Sequence, residues 1–210
     1  IDFSHQKMQL RKPLIIVQYM IQQVLRIRDR MNQLIKKNLD ASSLELRPLK
    51  ESDYSDEYLS WLENEEINRY LETRWEKQTE EKIRSFISSM ESSEDSILYG
   101  IFLDQKHVGN IKIGPVNWNH MHADVSYFIG SRDAWGKGLA TEAVARVTQF
   151  AFEELNLHKC NAGVYSGNPG SSRVLEKVGY TLEGCMRNEL RGPDGWEDHL
   201  LYGYLREEFV

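Results

Sequence analysis

Ala123-Asp124-Val125-Ser126-Tyr127-Phe128-Ile129-Gly130, followed after four residues by Trp135-Gly136-Lys137-Gly138-Leu139-Ala140-Thr141, is the stretch on which the fold turns. The first part reads as a strand. The second reads as the head of the strongest helix in the chain, predicted over Trp135 to Phe152, with an apolar stripe through Leu139, Ala140, Ala143, Val144, Val147 and Phe150. Small residues at 136, 138 and 140 let a ligand reach the backbone, and the first N–H groups of a helix have no internal partner. Such an end favours an anion, phosphate above all, although a helix start that simply needs glycine would look the same.

Outward from this point the apolar period keeps switching between two and about 3.6, so strands and helices are intermingled. Ser43 to Leu49 reads as a strand ending at Pro48, and Ser52 to Glu63 as a helix opened by Ser and Asp. Thr79 begins a helix with Ile83, Phe86, Ile87 and Met90 on one face. Ser96 to Asp104 and His107 to Val116 are two strands around a short turn at Asp104-Gln105-Lys106, and with Ala123 to Gly130 they form a meander. Lys159 to Tyr165 is a further strand, and Pro169 to Val178 a helix closed by Gly179. Tyr180 to Glu189 and His199 to Leu205 finish the chain as strands around the turn Gly192-Pro193-Asp194-Gly195. The expected class is α+β, one core with a mixed sheet.

Composition narrows the function. The chain has 210 residues with 26 Lys and Arg against 32 Asp and Glu, a formal charge of -6. A nucleic-acid binder is not expected, because phosphate neutralisation needs clustered cations. With 40% hydrophobic and 28% charged residues the mixture is that of a soluble globular protein. Pro13 to Leu25, the longest uncharged apolar stretch, has 13 residues, short of the about 18 a membrane span needs. Cys160 and Cys185 make neither a disulfide framework nor a metal pattern, so a reducing cytoplasm is the expected compartment. The six histidines show no ligand spacing, and no metal is expected.

Residues 1–40 differ in kind from the rest. They hold eight Lys or Arg against three Asp, a net of +5, which leaves 18 basic and 29 acidic residues and a net of -11 in residues 41–210. Leu14, Val17, Ile21, Val24, Met31 and Ile35 recur at three- and four-residue steps, the mark of an amphipathic helix that needs a partner surface. Residues 1–40 are therefore expected to form a helical extension or leader, packed on the domain itself or on the mate of a homodimer, the alternatives being a coiled coil, a membrane-surface segment or a targeting sequence. Residues 41–210 form the working domain.

Three anion-binding patterns compete for the glycine turn. A phosphate loop of the Walker type fails, since five residues separate Gly130 from Gly136 and Gly138 stands where Ser or Thr is required. A dinucleotide fingerprint fails as well, since Thr141 occupies the place of the third Gly or Ala and no acidic residue lies in His158 to Ala162. The third pattern fits. Trp135-Gly136-Lys137-Gly138-Leu139-Ala140 resembles the pyrophosphate motif of the GNAT N-acetyltransferases, with Gly138 and Ala140 in its two small positions and Trp135 in place of the usual Arg or Gln. Thirty residues after Gly138, Asn168-Pro169-Gly170-Ser171 through Lys177-Val178-Gly179-Tyr180 resembles the second signature of that family. The tail through Gly184-Cys185-Met186-Arg187 and Trp196-Glu197-Asp198 is similar to the branch that acetylates ribosomal-protein N-termini.

The resemblance implies a GNAT fold with a mostly antiparallel sheet of about seven strands, helices on both faces and splayed central strands. It implies acetyl-coenzyme A as co-substrate and a primary amine as acceptor, on a small molecule or a protein N-terminus. The alternative is a catalytically silent acyl-coenzyme-A-binding module. Backbone groups near Phe128, Ile129 and Gly130 would pair with the pantetheine amides. N–H groups of Gly136, Lys137, Gly138, Leu139, Ala140 and Thr141 would hold the pyrophosphate, and Asn168 and Ser171 would lie beside the arm and the sulfur. Many members use a Tyr as acid at the position that is Leu175 here, and the branch implies Ser171 in its place. For the base the branch implies a Glu that falls on Leu190 without gaps and on Glu189 if a bulge or a one-residue shift intervenes. The acceptor groove would lie between Glu63 to Gln78 and Arg187 to Trp196.

Overall fold

The computed structural model describes residues 17–18, 21–22, 25, 38–40 and 43–209. Val17, Ile21 and Leu25 of the leader are helical and exposed, while Leu14, Val24, Met31 and Ile35 of the predicted stripe lie outside the described residues.

Among the described residues eight strands form one sheet: β1 (Leu39–Asp40), β2 (Glu45–Pro48), β3 (Ile97–Leu103), β4 (Lys106–Asn117), β5 (His122–Ile129), β6 (Lys159–Tyr165), β7 (Thr181–Gly192) and β8 (Gly195–Leu205). Their order is β1-β2-β3-β4-β5-β6-β8-β7. The sheet thus begins at Leu39, with a two-residue strand ahead of the seven longer ones. Among these neighbours β5 and β6 alone run parallel.

Each face is covered by helices whose start the sequence marks. α1 (Asp56–Glu63) is capped by Ser55, whose side chain accepts the N–H of Tyr58, and a separate 3-10 turn at Glu51–Asp53 precedes it. The predicted single helix from Ser52 is therefore two pieces, with the cap three residues later. α2 (Glu65–Asn68) follows directly on Asn64, and α3 (Glu80–Glu91) is capped by Thr79. α4 (Leu139–Glu153) and α5 (Pro169–Val178) lie on the opposite face.

The larger core is built from Ile111, Val125, Ala143, Val144, Val147, Cys160, Leu175 and their neighbours, beneath α4 and α5. A second core of Tyr58, Trp61, Leu62, Ile83, Ile87, Leu98 and Phe102 lies beneath α1 and α3. β3 is nearly all buried because both cores press on it, and each fully buried Leu or Ile in such a place contributes about 1.5–3 kcal/mol. Thr148, the fully buried polar residue of α4, is satisfied by the hydroxyl of Tyr180 at 2.8 Å.

Further element boundaries differ from the sequence reading at the start of α4 and at the β7–β8 turn. α4 starts at Leu139 rather than Trp135, because Gly136 (φ 72) and Gly138 (φ 80) take left-handed conformations that no helix contains. β7 and β8 run on to Gly192 and from Gly195, so the hairpin reaches its turn as paired strands.

Candidate active site

β5 and β6 pair only at His122–Lys159, Ala123–Cys160 and Asp124–Asn161. Beyond that point Val125–Ile129 and Ala162–Tyr165 have no pairing with each other. Their outer sides remain pinned: β4 follows β5 to Ile129, and β8 follows β6 to Tyr165. The gap is consequently a wedge with two rigid banks.

The backbone groups that line it follow from register. Gly130 N–H donates to Val108 O at 2.8 Å, so Gly130 and, by the alternation of an antiparallel ladder, Phe128 turn their groups toward β4. Tyr127 and Ile129 turn theirs to the wedge. Of the three residues expected to leave backbone groups free, Ile129 does so, Gly130 has committed its N–H, and Tyr127 joins on the same side. The free edge is not bare, since Trp135 Nε1 donates to Ile129 O at 2.9 Å.

At the open end of the wedge a 3-10 turn (Arg132–Ala134) leads through Gly136, Lys137 and Gly138 into α4. Among the described residues no side chain caps this helix, and the N–H groups of Leu139, Ala140 and Thr141 have no partner within it. A Cβ placed on Gly136 or Gly138 would meet nothing within 4 Å. The glycines are there for conformation, and the space before them is open.

The start of α5 faces the same gap. Asn168 caps it, its Oδ1 accepting the Ser171 N–H at 3.2 Å while its Nδ2 donates to Ser171 Oγ at 3.1 Å. Ser171 Oγ is thereby an acceptor toward Asn168 and keeps its own hydrogen to donate. Tyr127, absent from the sequence reading, donates its hydroxyl to Ser171 O at 3.2 Å and ties β5 to α5. Burial pushes its phenol up to about 12. Leu175 is fully buried in the larger core, so the position of the usual family Tyr points away from the wedge in this chain.

On the other face of the sheet, the mouth is framed by the segment after α1 and by the β7–β8 hairpin, which the structure does bring together. Tyr70 donates to Gly167 O at 2.6 Å, and Gly167 N–H donates to Glu197 Oε2 at 2.6 Å. Tyr165 donates to Glu72, and Arg74 to the carbonyl of Arg191. Burial, with Glu72 alongside, raises the Tyr165 phenol to about 12, so it stays a donor. Trp75 and Trp196 stand exposed on the rim, under Arg74 at 4.4 Å and Arg191 at 5.5 Å.

β7 carries a bulge just before Leu190. Met186 pairs His199 and Leu190 pairs Glu197, so three residues of β7 oppose one of β8. Asn188 takes φ 51 there, and its N–H donates to Asp198 Oδ1 at 2.8 Å. The bulge brings Glu189 Oε2 to 2.7 Å from His199 Nδ1. His199, a histidine that sequence spacing left without a role, lies across from Tyr165 and over Gly163, where a Cβ would collide with its Nε2. Cys185 is exposed, its Sγ 3.5 Å from Asp198 Oδ2, while Cys160 is buried. Among the described residues no three His, Cys, Asp or Glu side chains converge as metal ligands, and no helix is long and apolar enough to cross a membrane.

The site is thus a sheet split between two parallel strands, with a glycine-led helix start across its open end. Residues 43–181 match the acetyltransferase (GNAT) domain, and the chain belongs to that family. The probable N-acetyltransferase YjcK of Bacillus subtilis is 35% identical over 130 residues, 60% of this chain and 71% of that protein. Mycobacterium smegmatis RimJ in complex with CoA-disulfide is 26% identical with a TM-score of 0.68, covering 79% of this chain and 83% of that one. Spermidine N-acetyltransferase from Vibrio cholerae, solved with CoA and spermine, shares the fold with a TM-score of 0.71 at 22% identity, over 80% of this chain and 98% of that one.

Proposed function

We propose that this protein transfers the acetyl group of acetyl-coenzyme A directly to a primary amine, the co-substrate lying in the β5–β6 wedge. The observation that carries the reading is the wedge itself: two strands pinned on their outer sides, unpaired within, and pointing at an uncapped helix start. The fit is chemical as well as geometric. A pyrophosphate needs several converging N–H groups, which Gly136 to Thr141 supply with the dipole of α4 behind them. A pantetheine arm needs an unpaired strand edge, which Tyr127 and Ile129 supply. Phe128 and Gly130 support this edge from the β4 side, and Lys137 is free at the surface for a phosphate.

Acetyl transfer sets three tasks. The ammonium must lose a proton, the oxyanion formed at the thioester carbonyl must be stabilised, and the sulfur must leave protonated. A backbone N–H of Tyr127 or Ile129 answers the second, and a prepositioned donor of this kind is worth about 2.7–4 kcal/mol of barrier. Ser171 answers the third, because Asn168 occupies its acceptor side and leaves the hydroxyl hydrogen to give. The amine enters from the opposite face, past Glu72, Glu189 and Glu197, whose carboxylates favour a cationic acceptor.

The test is a screen of polyamines, N-terminal peptides and amino sugars with acetyl-coenzyme A, reading free thiol and identifying the product by mass. The proposal expects amine-dependent thiol release and a product heavier by one acetyl group. Thiol release that no amine stimulates would refute it.

A further inference from the structure

On the acetyl-transfer reading above, the first task still needs a base, and the structure carries a candidate that the motifs did not name. We infer that His199 is the proton acceptor for the amine and that Glu189 is its positioning residue.

The geometry is specific. Glu189 has only oxygens to offer, so its 2.7 Å contact with Nδ1 places the imidazole hydrogen on Nδ1. In the neutral imidazole Nε2 then carries the lone pair, and among the described residues nothing hydrogen-bonds to it. That atom lies over Gly163, one of the β6 residues that have parted from β5, two positions beyond the last parallel pair at Asn161. His199 and Tyr165 are directly paired, so the imidazole is on the face where the groove opens, opposite the Cys160, Ala162 and Val164 side chains of the core. A side chain at 163 would expel the ring. The bulge at Arg187 to Glu189 completes the arrangement, since a regular ladder would carry Glu189 past His199.

The step balances without a further reagent. The ammonium gives one proton to Nε2, and the freed lone pair forms the C–N bond at the thioester carbonyl. As the C–S bond breaks, nitrogen loses its second proton, the sulfur takes up one, and His199 returns the other to water. The products are the N-acetyl amine and coenzyme A thiol.

The experiment uses the full chain, acetyl-coenzyme A and the best amine from the screen, measuring kcat, KM for each substrate and coenzyme A affinity by calorimetry. His199→Gln should lower kcat about 100-fold, the range of general-base catalysis, with coenzyme affinity held within about twofold. Glu189→Gln should lower kcat about tenfold alone and add less than about twofold to His199→Gln, because it acts only through the imidazole. Gly163→Ala keeps both side chains and moves the ring, so it should lower kcat at least about tenfold with coenzyme affinity unchanged, which decides the matter if His199→Gln folds poorly. Full-rate turnover by Gly163→Ala or His199→Gln, with the wild type active, would overturn the assignment and leave acetyl transfer standing. A wild type inactive with every amine would overturn both.

Discussion

The indole Nε1 of Trp135 donates to the carbonyl of Ile129 across 2.9 Å, and that carbonyl belongs to the unpaired edge of β5 that a pantetheine amide would use. In the proposed binding mode Trp135 competes with the coenzyme for one acceptor. Trp135→Phe removes the competing donor and keeps an aromatic ring. A net hydrogen bond is worth about 1 kcal/mol, so coenzyme A should bind about fivefold tighter to the variant by calorimetry. Weaker binding would mean that the indole contacts the coenzyme instead.

Gly138 tests the cradle at the helix start. Its φ of 80 is costly for any other residue, and a Cβ there meets open space, so a substitution acts through conformation rather than collision. Gly138→Val should destabilise the fold by about 1–2 kcal/mol and weaken coenzyme A binding at least about tenfold. Undiminished affinity would place the phosphates elsewhere.

Ser171 separates chemistry from binding. Its hydroxyl accepts from Asn168 and keeps its hydrogen to donate. Ser171→Ala should lower kcat about tenfold, within the span of acid catalysis, with coenzyme A affinity within about threefold. An unchanged kcat removes Ser171 from the chemistry.

His107 makes stability depend on pH. It is packed between Phe102, Tyr58 and Trp61, with Nε2 donating to Gly109 O and Asn110 Oδ1 at 3.0 and 2.7 Å and Nδ1 buried without a partner. Burial, aided by Arg47 and opposed by Asn110, Gly109 and Asp53, lowers its pKa below the ordinary 6.5. The unfolded chain then binds a proton just below pH 6.5 that the folded chain refuses, so this contribution is complete above 6.5 and is lost as pH falls from there to the folded pKa. Thermal melts from pH 7.5 to 5.5 should fall more steeply for the wild type than for His107→Phe. Parallel slopes would contradict this.

Much of this was legible from local sequence. Asn168, Pro169 and Gly179 bracket α5 because a cap, a first-turn proline and a left-handed residue each act within one turn of chain. The apolar stripe places the start of α4 four residues early, because it says nothing about backbone conformation at Gly136 and Gly138. The sequence shortens β7 because its residues are mostly exposed and show no alternation. His199 and Tyr127 escaped notice for a different reason. Their roles depend on register between strands far apart in sequence and on a bulge at Asn188, and neither leaves a local pattern.

The central claim is that coenzyme A lies between β5 and β6 with its pyrophosphate on the start of α4. Amide chemical-shift mapping during titration with coenzyme A tests it most directly. The account predicts saturable shifts concentrated at Tyr127, Ile129, Gly136 to Thr141 and Asn168 to Ser171. Saturable binding that leaves those amides unmoved would contradict it.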